Sequence, residues 1–222
     1  LGYCEKGLKT ANRYLLHLTR LHAWLSPADA PRNADLIFVL AGRVYRKDYA
    51  LELFRQGLAP RILFSVGRFE IRRFSKMALP VPLDLLKLAQ EVPPSQRHYF
   101  LFFEGEEVRT QHVLPGRFGT LTEIDAFGQW VNERPNIRSV LIVSSGTHLR
   151  RIRMCCRSLL DPNIRLAFLA APLFLSEQPV PEPDEQQQDH AQPEESSGSA
   201  ATKEDLIEMF KLAIYWVLLK IR

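Results

Sequence analysis

The chain has 222 residues, 46% of them hydrophobic and 24% charged, with a formal charge of +4 and an isoelectric point near 9.1. That length holds one sizeable domain with appendages, and the composition excludes collagenous, low-complexity and disulfide-stapled classes. The basic excess is spread thinly, with no RNP-like motif, zinc-finger spacing or long basic arm, so the expected partners are anionic ligands or surfaces and not nucleic acid.

Residues 3–25 place Leu15, Leu18, Leu21 and Leu25 at helical spacing between Lys6, Arg13 and Arg20, and Ser26-Pro27 ends the pattern. An amphipathic helix packed on the domain is expected, with peripheral membrane contact as the alternative. The chain starts at Leu1, which leaves a preceding signal or anchor open. No run of 18 apolar residues occurs, so no transmembrane span is expected.

Ala34–Gly42 is an unbroken apolar run, the pattern of a parallel strand covered on both faces. A helix follows over about 46–56, with Gly57 as its stop. Strands are expected at 61–67, 98–103, 139–145 and 164–171, separated by helical stretches at 70–91, 120–133 and 147–160. Five alternations predict an α/β fold: an open, doubly wound parallel sheet of about five strands with helices on both faces. Residues 177–202, rich in Pro, Glu, Gln and Ser, predict a disordered acidic loop. Thr202 to Asp205 then opens a C-terminal amphipathic helix carrying Leu206, Phe210, Ala213, Ile214, Val217, Leu218 and Ile221, which is expected to dock on the sheet domain. A peripheral membrane helix is the alternative, since Tyr215, Trp216, Lys220 and Arg222 also suit an interface. The resulting division is a helical segment at 1–33, the α/β domain at 34–176, the loop at 177–202 and the closing helix at 203–222.

Ligands of open α/β sheets sit beyond the carboxyl ends of the strands. Those ends read Ala41-Gly42-Arg43, Ser65-Val66-Gly67-Arg68, Glu104-Gly105 and Ser144-Ser145-Gly146. Ser144 and Ser145 precede a helix start, where free N–H groups attract anions, and His148 and Arg151 follow within a turn. Arg46 sits in the first turn of its helix, where a cation is unfavourable without a nearby anion. Thr120 and Glu123 form a capping box, and Glu70 reads as a helix-start carboxylate. The three cysteines, Cys4, Cys155 and Cys156, form no disulfide framework, and the adjacent pair reads as buried and inert. No phosphate-binding glycine loop, nucleophile elbow or zinc spacing is present, so no metal is expected.

Taken in order, these stretches resemble the bacterial YdcF/SanA/ElyC-like domain family over about residues 34–175. The matching pieces are Leu36–Gly42, Arg46, Ala50, Leu53, Gly57-Leu-Ala-Pro60, Ser65-Val66-Gly67 with Glu70, Thr120 with Glu123, and Ser144-Ser145-x-x-His148-x-x-Arg151. Arg43, Val66, Gly119 and Thr147 depart from the family pattern. The resemblance implies a Rossmann-like fold whose motif residues share one cleft, and a place in bacterial envelope biogenesis, in the cytoplasm or on the inner side of the envelope. The expected ligand is an anionic, phosphate-bearing small molecule or lipid-carrier headgroup. Gly42, Arg43, Arg46, Ser65, Gly67, Arg68, Thr120, Ser144, Ser145 and Arg151 would bind it. His148 would be the acid–base, with Glu70 or Glu123 as its polar partner, in phosphoryl or glycosyl-phosphate chemistry if the chain is an enzyme. Two rivals are a non-enzymatic, envelope-associated interaction protein and an S-adenosylmethionine-binding protein or methyltransferase.

Overall fold

The computed structural model describes residues 24–90, 92–114, 116, 119–172 and 197–221, the side chains of Leu88 and 197–204 excepted. The helix expected over 3–25, apart from Trp24 and Leu25, and most of the acidic segment lie outside the described residues.

The fold is α/β, with one open six-stranded sheet flanked by helices on both faces. Strands β1 (Leu36–Val39), β2 (Arg61–Gly67), β3 (His98–Glu104), β4 (Glu107–His112), β5 (Ser139–Ser144) and β6 (Arg165–Ala170) are arranged in the order β4-β3-β2-β1-β5-β6. β1 is central and parallel to both β2 and β5, and β6 is parallel to β5. Every β1 side chain is fully buried because both faces are covered. Ile37 and Val39 join the core beneath α1 (Tyr45–Arg55), α2 (Ile71–Phe74) and α3 (Leu85–Gln90). Leu36 and Phe38 join the opposite core beneath α4 (Gly119–Asn132) and α5 (Leu149–Leu159). There the Phe38 and Phe127 rings stack at 4.0 Å. Cys155 and Cys156 belong to this second core, and burial pushes the Cys155 thiol up to about 12.

Two departures from the expected parallel sheet occur at one edge. β3 runs antiparallel to β2, and β4, which the sequence reading omits, pairs antiparallel with β3. Between β2 and β3 the described residues form short helices, α2, α3 and a 3-10 turn at Pro94–Gln96, in place of the single long crossover helix a parallel return requires. β4 is exposed along nearly its whole length, so it shows no apolar alternation. The reversal moves Glu104-Gly105 to the amino end of β2, where Glu104 pairs with Arg61, and brings His98 to the carboxyl end beside Gly67. Glu104-Gly105 therefore leaves the set of ligand-facing strand ends, and His98 enters it.

The C-terminal helix α6 (Ser197–Ile221) starts five residues before Thr202 and packs on α5. It docks, as expected, but by the other face. Asp205, Glu208 and Tyr215 are buried, while Leu206, Phe210, Val217 and Ile221 are exposed by 62, 71, 46 and 79%.

Candidate functional site

The chain leaves β1 toward β2 on one side and leaves β5 toward β6 on the other, so the crevice between the carboxyl ends of β1 and β5 is the switch point of the sheet. A cavity of about 470 Å³ lies there, a volume suited to a small ligand. Arg43, Arg46, Ser145 and His148 line it from the sheet side, and Ile207, Glu208 and Lys211 from α6.

Arg46 is 4% exposed and organises the crevice. Its Nη1 donates to the Ala41 carbonyl at 3.0 Å, and its Nη2 donates to Ser145 Oγ at 2.5 Å and to His148 Nδ1 at 3.1 Å. Gly42 makes this approach feasible. Its φ is +135°, and a Cβ there would lie 2.7 Å from Arg46 Nη1. Gly42→Ala is expected to cost on the order of 1–2 kcal/mol through backbone strain and a displaced guanidinium; urea denaturation measures the loss.

Because a guanidinium can only donate, His148 Nδ1 must be the acceptor, which leaves the proton of the neutral ring on Nε2. That N–H points to Glu208 Oε1 at 3.2 Å. Burial, then the Arg46 and Arg151 charges, lower the His148 pKa against the pull of Glu208, so the ring is neutral near pH 7. Glu208 also meets Lys211 Nζ at 3.0 Å and Arg151 Nη1 at 3.3 Å. Burial works to raise the Glu208 pKa, but its His148, Arg151 and Lys211 partners outweigh this and hold it at about 2.

Arg151 does not line the cavity itself; it stands behind the Glu208 carboxylate, its ring-facing side 5.2 Å from Tyr215. Three buried donors here, Arg46 Nε, Arg151 Nε and Ser144 Oγ, meet no acceptor among the described residues. Buried polar groups are seldom left so; Glu208 Oε2, a buried acceptor, likewise has no hydrogen-bond partner among the described residues, its Arg151 contact being an ion pair at 3.3 Å.

Four of the remaining predicted residues, Ser65, Gly67, Glu70 and Glu123, gather in a second cluster beside the first. Lys47 is fully buried and ion-paired to Glu70, whose other oxygen accepts the Gly67 N–H at 2.9 Å. Glu123 turns inward and accepts the Ala41 N–H at 2.7 Å, with Ser65 as a further partner, so its capping-box role gives way to a tie between α4 and the end of β1. Ser65 Oγ meets His98 Nε2 at 2.6 Å. Burial pushes Glu123 up to about 7, and burial with the Lys47 and His112 charges pushes His98 down to about 4. Neither Glu70 nor Glu123 lines the cavity, and neither contacts His148. The carboxylate beside His148 is Glu208 instead. Arg68 lies apart, its guanidinium over the exposed Phe69 ring at 4.3 Å, and Thr120 is half-buried with none of these groups among its described contacts.

Sequence reasoning missed Lys47, His98, Glu208 and Lys211. His98 was recoverable only from reading 68–97 as a return without a crossover helix, which reverses β3; the others carry charges that read as solvated. No group of three or more His, Cys, Asp or Glu side chains suited to a metal occurs among the described residues. No family model, no curated protein and no solved structure matches this chain.

Proposed function

We propose that the chain is a divergent YdcF/SanA/ElyC-like domain that binds a phosphate-bearing anion in the crevice between β1, β5 and α6. One observation carries the reading: a carboxylate, that of Glu208, already sits among His148 Nε2, Arg151 Nη1 and Lys211 Nζ. These groups therefore form a receptor for an oxyanion, with the Glu208 carboxylate holding the place of one. A ligand oxygen that displaces it meets an N–H donor and two cations, with Arg43 and Arg46 on the adjoining wall. Such charge-assisted bonds are the strong ones. If chemistry follows, His148 is the group to move a proton, its tautomer set by Arg46 and its Nε2 uncovered when Glu208 leaves.

The test uses thermal shifts with inorganic phosphate and glycerol phosphate, since binding to the folded state raises apparent stability. Lys211→Ala, at a half-exposed side chain, is expected to weaken binding by roughly tenfold, the effect of losing one charged hydrogen bond. Glu208→Gln, which removes the internal competitor's charge, is expected to strengthen it. No shift at millimolar phosphate in either protein would overturn the assignment.

A further inference from the structure

Helix α6 carries its charge in an unusual arrangement. Within 205–221 both acids, Asp205 and Glu208, are turned inward and are 3% exposed each. The outward side presents Leu206, Met209, Phe210, Trp216, Val217 and Ile221, exposed by 42 to 79%, at the three- and four-residue spacing of one broad helix face. The only charges of this stretch that reach solvent are positive: half-exposed Lys211, and Lys220 with its ammonium 6.0 Å from the centre of the Trp216 ring. A contiguous apolar surface of this kind on a folded domain marks an interaction site.

We propose that this face of α6 rests on an anionic lipid surface, and that the ligand of the neighbouring crevice is a lipid-borne phosphate. The inference rests on the anion-site reading above. Charge complementarity selects the occupant. An acid-free apolar face with lysine and tryptophan toward one end is the pattern of a helix lying in a bilayer interface, its apolar side chains among the acyl chains and its lysines at the phosphates. The net charge of +4 acts in the same direction. Among the described residues no helix is long and apolar enough to cross a membrane, so the contact is peripheral.

The geometry joins this surface to the crevice. Ile207 is 46% exposed and also lines the cavity, so the apolar face runs to the cavity mouth. Lys211, one turn on, contacts Glu208 inside and is half-exposed outside. A bilayer seated on α6 would hold lipid phosphates at that mouth, with acyl chains on the apolar face and the phosphate directed toward Lys211 and His148. The class of ligand is thus a phosphate monoester or diester attached to a lipid.

The experiment is co-sedimentation of the full chain with vesicles of phosphatidylcholine alone and with phosphatidylglycerol added. Binding is expected only with the anionic lipid. The paired substitution Phe210→Ser and Trp216→Ser, both at exposed positions, is expected to weaken it by roughly tenfold or more, from the apolar area lost. An unchanged thermal midpoint shows that the variant is folded. Vesicle binding that survives the pair but is lost on deleting residues 1–23 overturns the proposal. So does absence of binding, or a dimer that the same pair dissociates. The phosphate thermal shift, repeated on the variant, keeps the two readings separate. A retained shift with lost vesicle binding supports the surface, whereas vesicle binding by a chain that shows no phosphate shift overturns the lipid-phosphate assignment.

Discussion

Glu70→Ala is expected to cost about 3–5 kcal/mol of folding stability, because it leaves a buried ammonium without its counter-charge. Lys47 is fully buried on α1, and its described ion pair is with Glu70, which is itself held by the Gly67 N–H. Desolvation lowers the Lys47 pKa from 10.5 despite the Glu70 charge and hydrogen bond, and without Glu70 it falls further. The sign of the pH dependence follows. A folded state that sheds the proton more readily than the unfolded chain gains stability as pH rises and loses it as pH falls through the folded pKa. The deficit of Glu70→Ala relative to the parent should therefore be largest at neutral pH and shrink toward pH 10.5. Urea denaturation across pH 7 to 10 measures it. The double variant Lys47→Met, Glu70→Leu, which replaces both charges by apolar groups of similar length, should recover most of the loss. A single-variant cost below about 1 kcal/mol, the range of exposed pairs, would mean that Lys47 is solvated and the cluster is not as described.

The strands β1, β2, β5 and β6 were legible because the middle of each is a buried apolar run. β3 was equally legible as a strand, but an apolar run carries no direction. Its direction follows from the β2–β3 connection, whose short helices return the chain without a crossover, and β4, its hairpin partner, lies at the sheet edge with polar side chains that make no hydrophobic pattern. The grouping of Arg46, Ser145 and His148 followed from topology, because strand exits on either side of a switch point must adjoin. The α6 docking face was read backwards for a physical reason. Apolar periodicity predicts which face is buried only where hydrophobic burial dominates, and here the docking side instead satisfies His148, Arg151 and Lys211 with Glu208. A buried ion pair such as Lys47–Glu70 is equally silent in a sequence, since each charge alone reads as solvated.

Glu123→Gln is expected to reverse a pH dependence that the parent protein masks. The folded pKa of Glu123 is about 7 against an ordinary 4.5, with burial first and the Glu70 charge adding to it. Between those values the unfolded chain loses its proton while the folded state keeps it, so this group's contribution is intact below pH 4.5 and is lost as pH rises through 7. The full loss is about 3 kcal/mol, from 1.36 kcal/mol per pH unit. His98 acts in the opposite sense. Its folded pKa is about 4 against 6.5, so its contribution is complete above pH 6.5 and is lost as pH falls through 4. The two windows overlap, and the two groups share Ser65, so in the parent their slopes offset each other. Glutamine keeps an acceptor for the Ala41 N–H but carries no proton to lose. Relative to the parent, Glu123→Gln should therefore gain stability steadily from pH 4.5 to 7, whereas His98→Asn should gain it toward pH 4. Working with differences from the parent removes the shared background of Glu208 and His148. Parallel stability profiles for parent and Glu123→Gln across that range would show that Glu123 is ionised throughout, and hence that the end of β1 is open to water.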